Sequence, residues 1–168
     1  MIIRGRVWIL GDHINTDVII PAKYKFRTGD FKELTKHVFE DLDPTLASKI
    51  SKGDIVIAGR NFGMGSSREH APRVIKEAGV SAIVACSFAR IFFRNAINVG
   101  LPVIEVKDVN KSFKQGDIAL IDFEKGAVRN ETTGVGLKFS PYPEFIMNMM
   151  KAGGLAVYRK SLKALDMP

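Results

Sequence analysis

Cysteine is the scarcest reactive group in this chain: Cys86 stands alone among 168 residues. A single thiol excludes an internal disulfide and, by itself, a zinc or iron–sulfur centre, which needs several ligands close in space. Histidine does not make up the shortfall, because His13, His37 and His70 are scattered without metal-ligand spacing. Cys86 closes the apolar run Ser81-Ala-Ile-Val-Ala-Cys86, so it is expected to pack as a small core hydrophobe rather than act as a reactive thiol. Long hydrophobic runs are also missing, none approaching the ~18 residues of a membrane-spanning helix. The N-terminus, Met1-Ile-Ile-Arg4-Gly-Arg6, sets charges where a secretion signal would place its apolar stretch. A cytoplasmic protein is expected. Repeats, low-complexity stretches and linkers are absent too, and a composition 46% apolar and 26% charged fits one domain over residues 1–168.

The net charge is +7, which suits either nucleic acid or a small polyanion and an acidic partner. Nucleic-acid modules concentrate their cations in a stripe with exposed aromatics or a known motif. Here the cations are spread, densest at Arg159, Lys160 and Lys163, where a solvated helix face accounts for them. Nucleic acid therefore remains the reading from another class, together with a non-catalytic assembly subunit.

Periodicity gives the framework. Residues 2–10 alternate as a strand, and Asp30 caps a helix expected over 31–42, with Phe31, Leu34, Val38 and Leu42 on one face. Strands at 54–58, 82–85 and 101–106 enclose helices expected at 67–78 and 88–99, with Phe88, Ile91 and Phe92 facing the core. Strand–helix–strand–helix–strand at this spacing implies a parallel, right-handed α/β unit. Alternating runs at 117–123, 127–130 and 136–139, separated by glycine turns, suggest antiparallel hairpins. Pro143 then opens a helix whose Phe145, Ile146, Met149 and Met150 are expected to pack, and Gly153-Gly154 separates it from a basic terminal helix.

One stretch carries chemistry: Gly59-Arg-Asn-Phe-Gly-Met-Gly-Ser-Ser-Arg-Glu-His-Ala-Pro72. It sets glycines, two serines and an arginine between a buried strand and a helix start, where free N–H groups favour an anion. Gly63 and Gly65 let the backbone turn and approach a ligand, and Arg68 offers a planar fork for a carboxylate. No lysine follows Gly65, so this is not a P-loop, and Arg68 occupies the last position of a would-be dinucleotide fingerprint. A serine-capped helix after a tight turn remains open beside the anion site. Chemistry alone gives a site and no reaction. Asn15, Thr16 and Asp17 either border that site or bond their own backbone. Arg90 and Arg94 share a helix face that meets a partner or, more simply, solvent.

Asn61-Phe-Gly-Met-Gly-Ser-Ser-Arg-Glu-His70 resembles the signature of the aconitase superfamily's swivelling domain. Gly11-Asp-His-Ile-Asn-Thr-Asp17 with Ile19-Ile-Pro21, and Ser87-Phe-Ala-Arg-Ile-Phe-Phe-Arg-Asn-Ala-Ile-Asn98 with Gly100-Leu-Pro102, are similar to its flanking blocks. The chain is of the length of the small subunits of 3-isopropylmalate dehydratase and its homoaconitase relatives. The resemblance implies an α/β fold: a three-layer β/β/α swivelling domain holding the parallel unit and the added hairpins. It implies a hydro-lyase that isomerises a hydroxy acid by dehydration and rehydration, active only with a separate large subunit. In that scheme Ser66 takes the proton beside a carboxylate, and Arg68, with Ser67 and Gly65, binds substrate. The 4Fe–4S cluster sits in the large subunit, so this chain binds no cofactor or metal. Relatives often carry cysteine at the position of Met64, which is not a cluster ligand. Substrate choice falls to Pro21-Ala-Lys-Tyr-Lys-Phe-Arg27-Thr28-Gly29. Isopropylmalate enzymes usually place uncharged residues there, whereas Arg27 is similar to the arginine that tricarboxylate enzymes such as homoaconitase use. An arginine against an alkyl group would be desolvated without a partner. The implied function is the isopropylmalate reaction of leucine biosynthesis, with homoaconitase as the alternative.

Overall fold

The computed structural model describes residues 1–25, 29–65 and 69–165. Its architecture turns on the first strand, β1 (Ile2–Ile9), which has two different neighbours along its length. Ile2–Arg6 pairs antiparallel with β5 (Ile118–Asp122), and Val7–Ile9 pairs parallel with β2 (Ile55–Ala58). Gly5 lies at this handover, where a side chain would run into the Gly53 carbonyl. Beyond β2 the parallel half continues through β3 (Ala82–Ala85) and β4 (Val103–Glu105). Beyond β5 the antiparallel half continues through β6 (Ala127–Asn130) and β7 (Gly136–Lys138). The seven strands run in the order β4-β3-β2-β1-β5-β6-β7.

The parallel strands are apolar on both faces, as burial on both sides requires. Val56, Ala58, Ile83, Ala85 and Val103 face one core, which they share with the helices. These helices are α1 (Thr16–Ile19), α2 (Ala22–Lys25), α3 (Phe31–Thr35), α4 (Leu46–Lys49), α5 (His70–Glu77), α6 (Arg90–Val99), α7 (Glu144–Ala152) and α8 (Leu155–Leu165). Ile55, Ile57, Ala82, Val84 and Ile104 face the opposite way, onto Ala119, Ile121 and Val128 of the antiparallel strands. The sheet curls over itself, and the layers are helix, parallel half and antiparallel half. That is the expected three-layer β/β/α arrangement.

Several boundaries differ from the periodicity. Asp30 does cap α3, its Oδ1 accepting the Lys32 N–H at 2.9 Å, but the helix stops at Thr35 rather than residue 42. Phe39 then adopts φ +59°, and its N–H reaches the Ile19 carbonyl at 2.9 Å. Burying that ring completely outweighs helical continuity there. Leu42 is correspondingly exposed. α6 begins at Arg90 because residues 87–89 run extended beside the loop after β2. Ile91 and Phe145, expected in the core, are 42% and 57% exposed. No described helix is long and apolar enough to cross a membrane.

Candidate active site

β1, β2 and β3 end on the same edge of the parallel half, and the segments leaving them carry the sequence blocks singled out above. Hydrogen bonds stitch these segments together beyond the strand ends. Gly59 N–H bonds to the Gly11 carbonyl (3.1 Å), His13 N–H to Arg60 (2.8 Å), Gly63 N–H to Ile14 (2.7 Å) and Thr16 N–H to Met64 (2.8 Å). On the other side Phe62 N–H bonds to the Ser87 carbonyl (3.0 Å) and Ala89 N–H to Phe62 (2.9 Å). The Asn61 N–H donates to Ser87 Oγ at 2.9 Å. The loop after β2 thus lies between the other two and is held by both.

Local chemistry explains why this loop accepts the arrangement. Gly59 has no side chain because Asp12 occupies the space beside it. The Asp12 carboxylate accepts the Arg60 N–H at 2.7 Å and the guanidinium at 3.0 Å. These donors hold the Asp12 carboxyl below the usual carboxylate range. Phe62 is fully buried in an aromatic group with Phe88 and Phe92, its ring 5.9 Å and 5.2 Å from theirs. Gly63, at φ +80°, sits directly on the Phe92 ring. Gly65, at φ +112°, is exposed and backs onto Thr16.

Of the expected site residues, Gly65 directly follows the last rung of this ladder, at Met64. Ser66, Ser67, Arg68 and Arg27 lie outside the described residues. The residues on either side of them are placed. Glu69 heads α5, whose Ala71, Val74 and Ile75 anchor it in the core. The Phe31 ring, on the helix after Gly29, lies 5.6 Å from the His70 ring and under the Arg73 guanidinium at 4.0 Å. The chain following Arg27 is therefore joined to the first turns of the helix following Arg68.

Asn15 takes the local role that its residue type favours, its Oδ1 accepting the Asp17 and Val18 N–H groups as the cap of α1. Thr16 is buried. Arg90 and Arg94 are exposed and line a hollow with Phe88, Phe93 and Glu105. Cys86 packs at the edge of the second core rather than inside it. It is half-buried, its thiol meets Asn110 Oδ1 at 3.2 Å, and it lines a cavity of about 720 Å³ with Asp12, Arg60 and Ser87. Open space at the strand ends explains why an apolar run ends in a partly exposed thiol.

Sequence reasoning passed over two participants. Asn61 (φ +58°) and His13 (φ +57°) are both left-handed, and the Asn61 amide nitrogen lies 3.5 Å from His13 Nδ1 and 3.5 Å from Met64 Sδ. Asparagine's tolerance of that backbone region was the available signal at position 61. Histidine shares that tolerance, but nothing else in the sequence singled out position 13. No group of His, Cys, Asp and Glu suited to a metal ion occurs among the described residues, and the chain's one cysteine is no set of cluster ligands. An iron–sulfur cluster does not fit this chain.

Comparison with known proteins identifies the family. Residues 17–109 match the aconitase C-terminal domain model. The 3-isopropylmalate dehydratase small subunit 1 of Thermotoga maritima is 56% identical, the match covering 94% of this chain and 95% of that protein. The small subunit from Nautilia profundicola is 51% identical over 96% of each. The crystal structure of a 3-isopropylmalate dehydratase from Methanocaldococcus jannaschii superposes with a TM-score of 0.92 at 42% identity, covering 99% of this chain and 98% of that one. The chain belongs to the aconitase C-terminal domain family, among its 3-isopropylmalate dehydratase small subunits.

Proposed function

We propose that this chain supplies the proton-abstracting and carboxylate-binding half of a 3-isopropylmalate dehydratase site. Ser66 takes the proton from the carbon beside a substrate carboxylate, and Arg68 holds that carboxylate, with Ser67 and the Gly65 backbone beside it. Loss of that proton and of hydroxide from the neighbouring carbon releases water and leaves an alkene. Readdition in the opposite sense gives the isomer. A serine alkoxide is costly at neutral pH unless positive charge and N–H donors are already arranged around it. Departure of hydroxide calls for a Lewis acid. No ligand set for one occurs among the described residues, so we assign that half of the chemistry to a large subunit bearing a 4Fe–4S cluster. The whole of residues 1–168 acts as one swivelling domain, in the cytoplasm, on a pathway to leucine.

The observation that carries this reading is the ladder that grips the loop before Ser66 from both sides, while α5 anchors the chain just after Arg68. The described residues that flank the tripeptide, Gly65 and Glu69, thus follow the ladder and head α5 respectively. A second reading, homoaconitase, is favoured by Arg27, since the helix after it packs on His70, two residues beyond Arg68. An extra substrate carboxylate would pair with that arginine.

Co-expression with the large subunit and anaerobic cluster reconstitution test both. Turnover of 3-isopropylmalate is expected, and Ser66→Ala should lower it by about a hundred- to ten-thousandfold while the subunits still associate. Undiminished turnover in Ser66→Ala would remove the proposed base. Preference for homoaconitate, lost in Arg27→Leu, would transfer the assignment to the tricarboxylate reading.

A further inference from the structure

The start of α6 carries charge that the chain itself does not compensate. Arg90 opens the helix and Arg94 follows one turn later, so two cations share a face at the spacing where like charges repel. The helix has no acidic residue in its first turn and no side-chain cap, and cations there oppose its dipole. Arg4, Arg6 and Arg60 each reach a carboxylate, and Arg73 lies over the Phe31 ring. Arg90 and Arg94 do neither: among the described residues they have no hydrogen bond, ion pair or ring contact.

Both arginines line a hollow of about 410 Å³ with Phe88, Phe93 and Glu105. Glu105 does not neutralise them. Its Oε1 accepts the Phe88 N–H at 3.1 Å instead. Two guanidiniums against one carboxylate leave one net positive charge above an aromatic floor. Ile91, beside the pair, is 42% exposed. Arginine and aromatic side chains around a hollow are the composition found where protein interfaces are anchored. A single carboxylate on an aliphatic stem would neutralise the charge and cover the rings. Nucleic acid suits the hollow less well, since it calls for a stripe of cations without an opposing Glu105.

We propose that this hollow is a docking point for the large subunit. It seats an aspartate or glutamate of that partner, the carboxylate on Arg90 and Arg94 and the stem over Phe88 and Phe93. The occupant is a second subunit because the relatives described above are small subunits. The hollow also lies where β3 and β4 end, and Ala89 N–H ties its rim to Phe62 of the loop after β2. For its partner the inference rests on the two-subunit dehydratase reading.

The test is the Kd between the full chain and its cognate large subunit, read by calorimetry without reference to turnover. Arg90→Gln/Arg94→Gln should weaken binding by about thirtyfold or more, the scale of an arginine at the centre of an interface. The isolated double variant should melt no lower than the wild type, because a repulsive pair has been removed. Arg94→Gln alone should carry part of the loss. Arg129→Gln removes an unpaired, exposed arginine from β6 and should leave Kd unchanged. An unchanged Kd in the double variant overturns the proposal. A comparable loss in Arg129→Gln overturns it too, reducing the effect to net charge. Loss of salt-dependent binding to an RNA oligonucleotide, with subunit affinity intact, would give the hollow to nucleic acid instead. If the wild-type chain binds no large subunit at all, the two-subunit reading fails and the docking point with it.

Discussion

At Gly63 two constraints coincide: a backbone at φ +80°, and the face of Phe92 where a side chain would stand. Either alone would disfavour another residue. A β-carbon would have to push the Phe92 ring out of its packing with Phe62 and Phe88, while the backbone carried left-handed strain. Gly63→Ala should therefore cost roughly 2–4 kcal/mol, the sum of overpacking and an unfavourable φ. Urea unfolding reads this directly, and a loss below about 0.5 kcal/mol, typical of a surface change, would mean that the loop simply shifts. At this scale the site was half legible. Glycine, serine and arginine between a strand and a helix pointed to an anion site, and resemblance assigned the reaction. The Asn61–His13 contact was not legible, because it depends on two loops 48 residues apart meeting side by side.

α5 follows the reactive loop, and Lys76 near its C-terminal end fastens it to two other helices. The ammonium donates to the Val99 carbonyl at 2.7 Å, at the end of α6, and to Gly153 at 2.9 Å, just past α7. Both acceptors are carbonyls left without helical partners, at the negative end of a helix dipole. Burial pushes the Lys76 ammonium below its ordinary pKa. Lys76→Met keeps most of the aliphatic stem and removes the donors, so about 2 kcal/mol of stability should go, the scale of hydrogen bonds from a charged group. A thermal midpoint equal to that of the wild type would mean that water serves the carbonyls equally well. Periodicity found α5 and α6 but could not foresee this tie, because lysine at position 76 reads as one more exposed cation. The helix expected over 31–42 failed for a related reason. Of the residues expected on its inner face, Leu34 and Val38 are buried and Leu42 is exposed; α3 carries Leu34, whereas turns deliver Val38 and, outside the expected face, Phe39. Spacing found part of the inward-facing set, but not the backbone that carries it.

The whole molecule depends on β1 serving both halves of the curled sheet, and Asp54 sits where they meet. Its carboxylate accepts Trp8 Nε1 at 2.6 Å, Arg6 at 2.9 Å and the Ser51 N–H at 2.9 Å. Its own carbonyl takes the Ser81 N–H at 2.8 Å, tying in β3. Parallel and antiparallel runs were each legible from alternation, whereas this polar knot between distant segments was not. Burial by itself would raise the Asp54 pKa, but the Arg6, Trp8 and Ser51 donors outweigh it and hold the carboxyl below the usual range. With the folded pKa below the unfolded value, the unfolded chain binds more protons in the window between them, so stability increases with pH there. The contribution is complete above the unfolded pKa of about 4 and is lost as pH falls through the folded one. Asp54→Asn, which cannot ionise, should be less stable than the wild type at pH 7. Urea midpoints followed from about pH 5 to about pH 2 should then bring the two proteins together. Other carboxylates with lowered pKa, Asp12 and Asp117 among them, act equally on both proteins, so the difference between the curves isolates Asp54. Parallel curves through that range would mean that the knot holds as well with a neutral side chain, and that its charge contributes nothing to joining the halves.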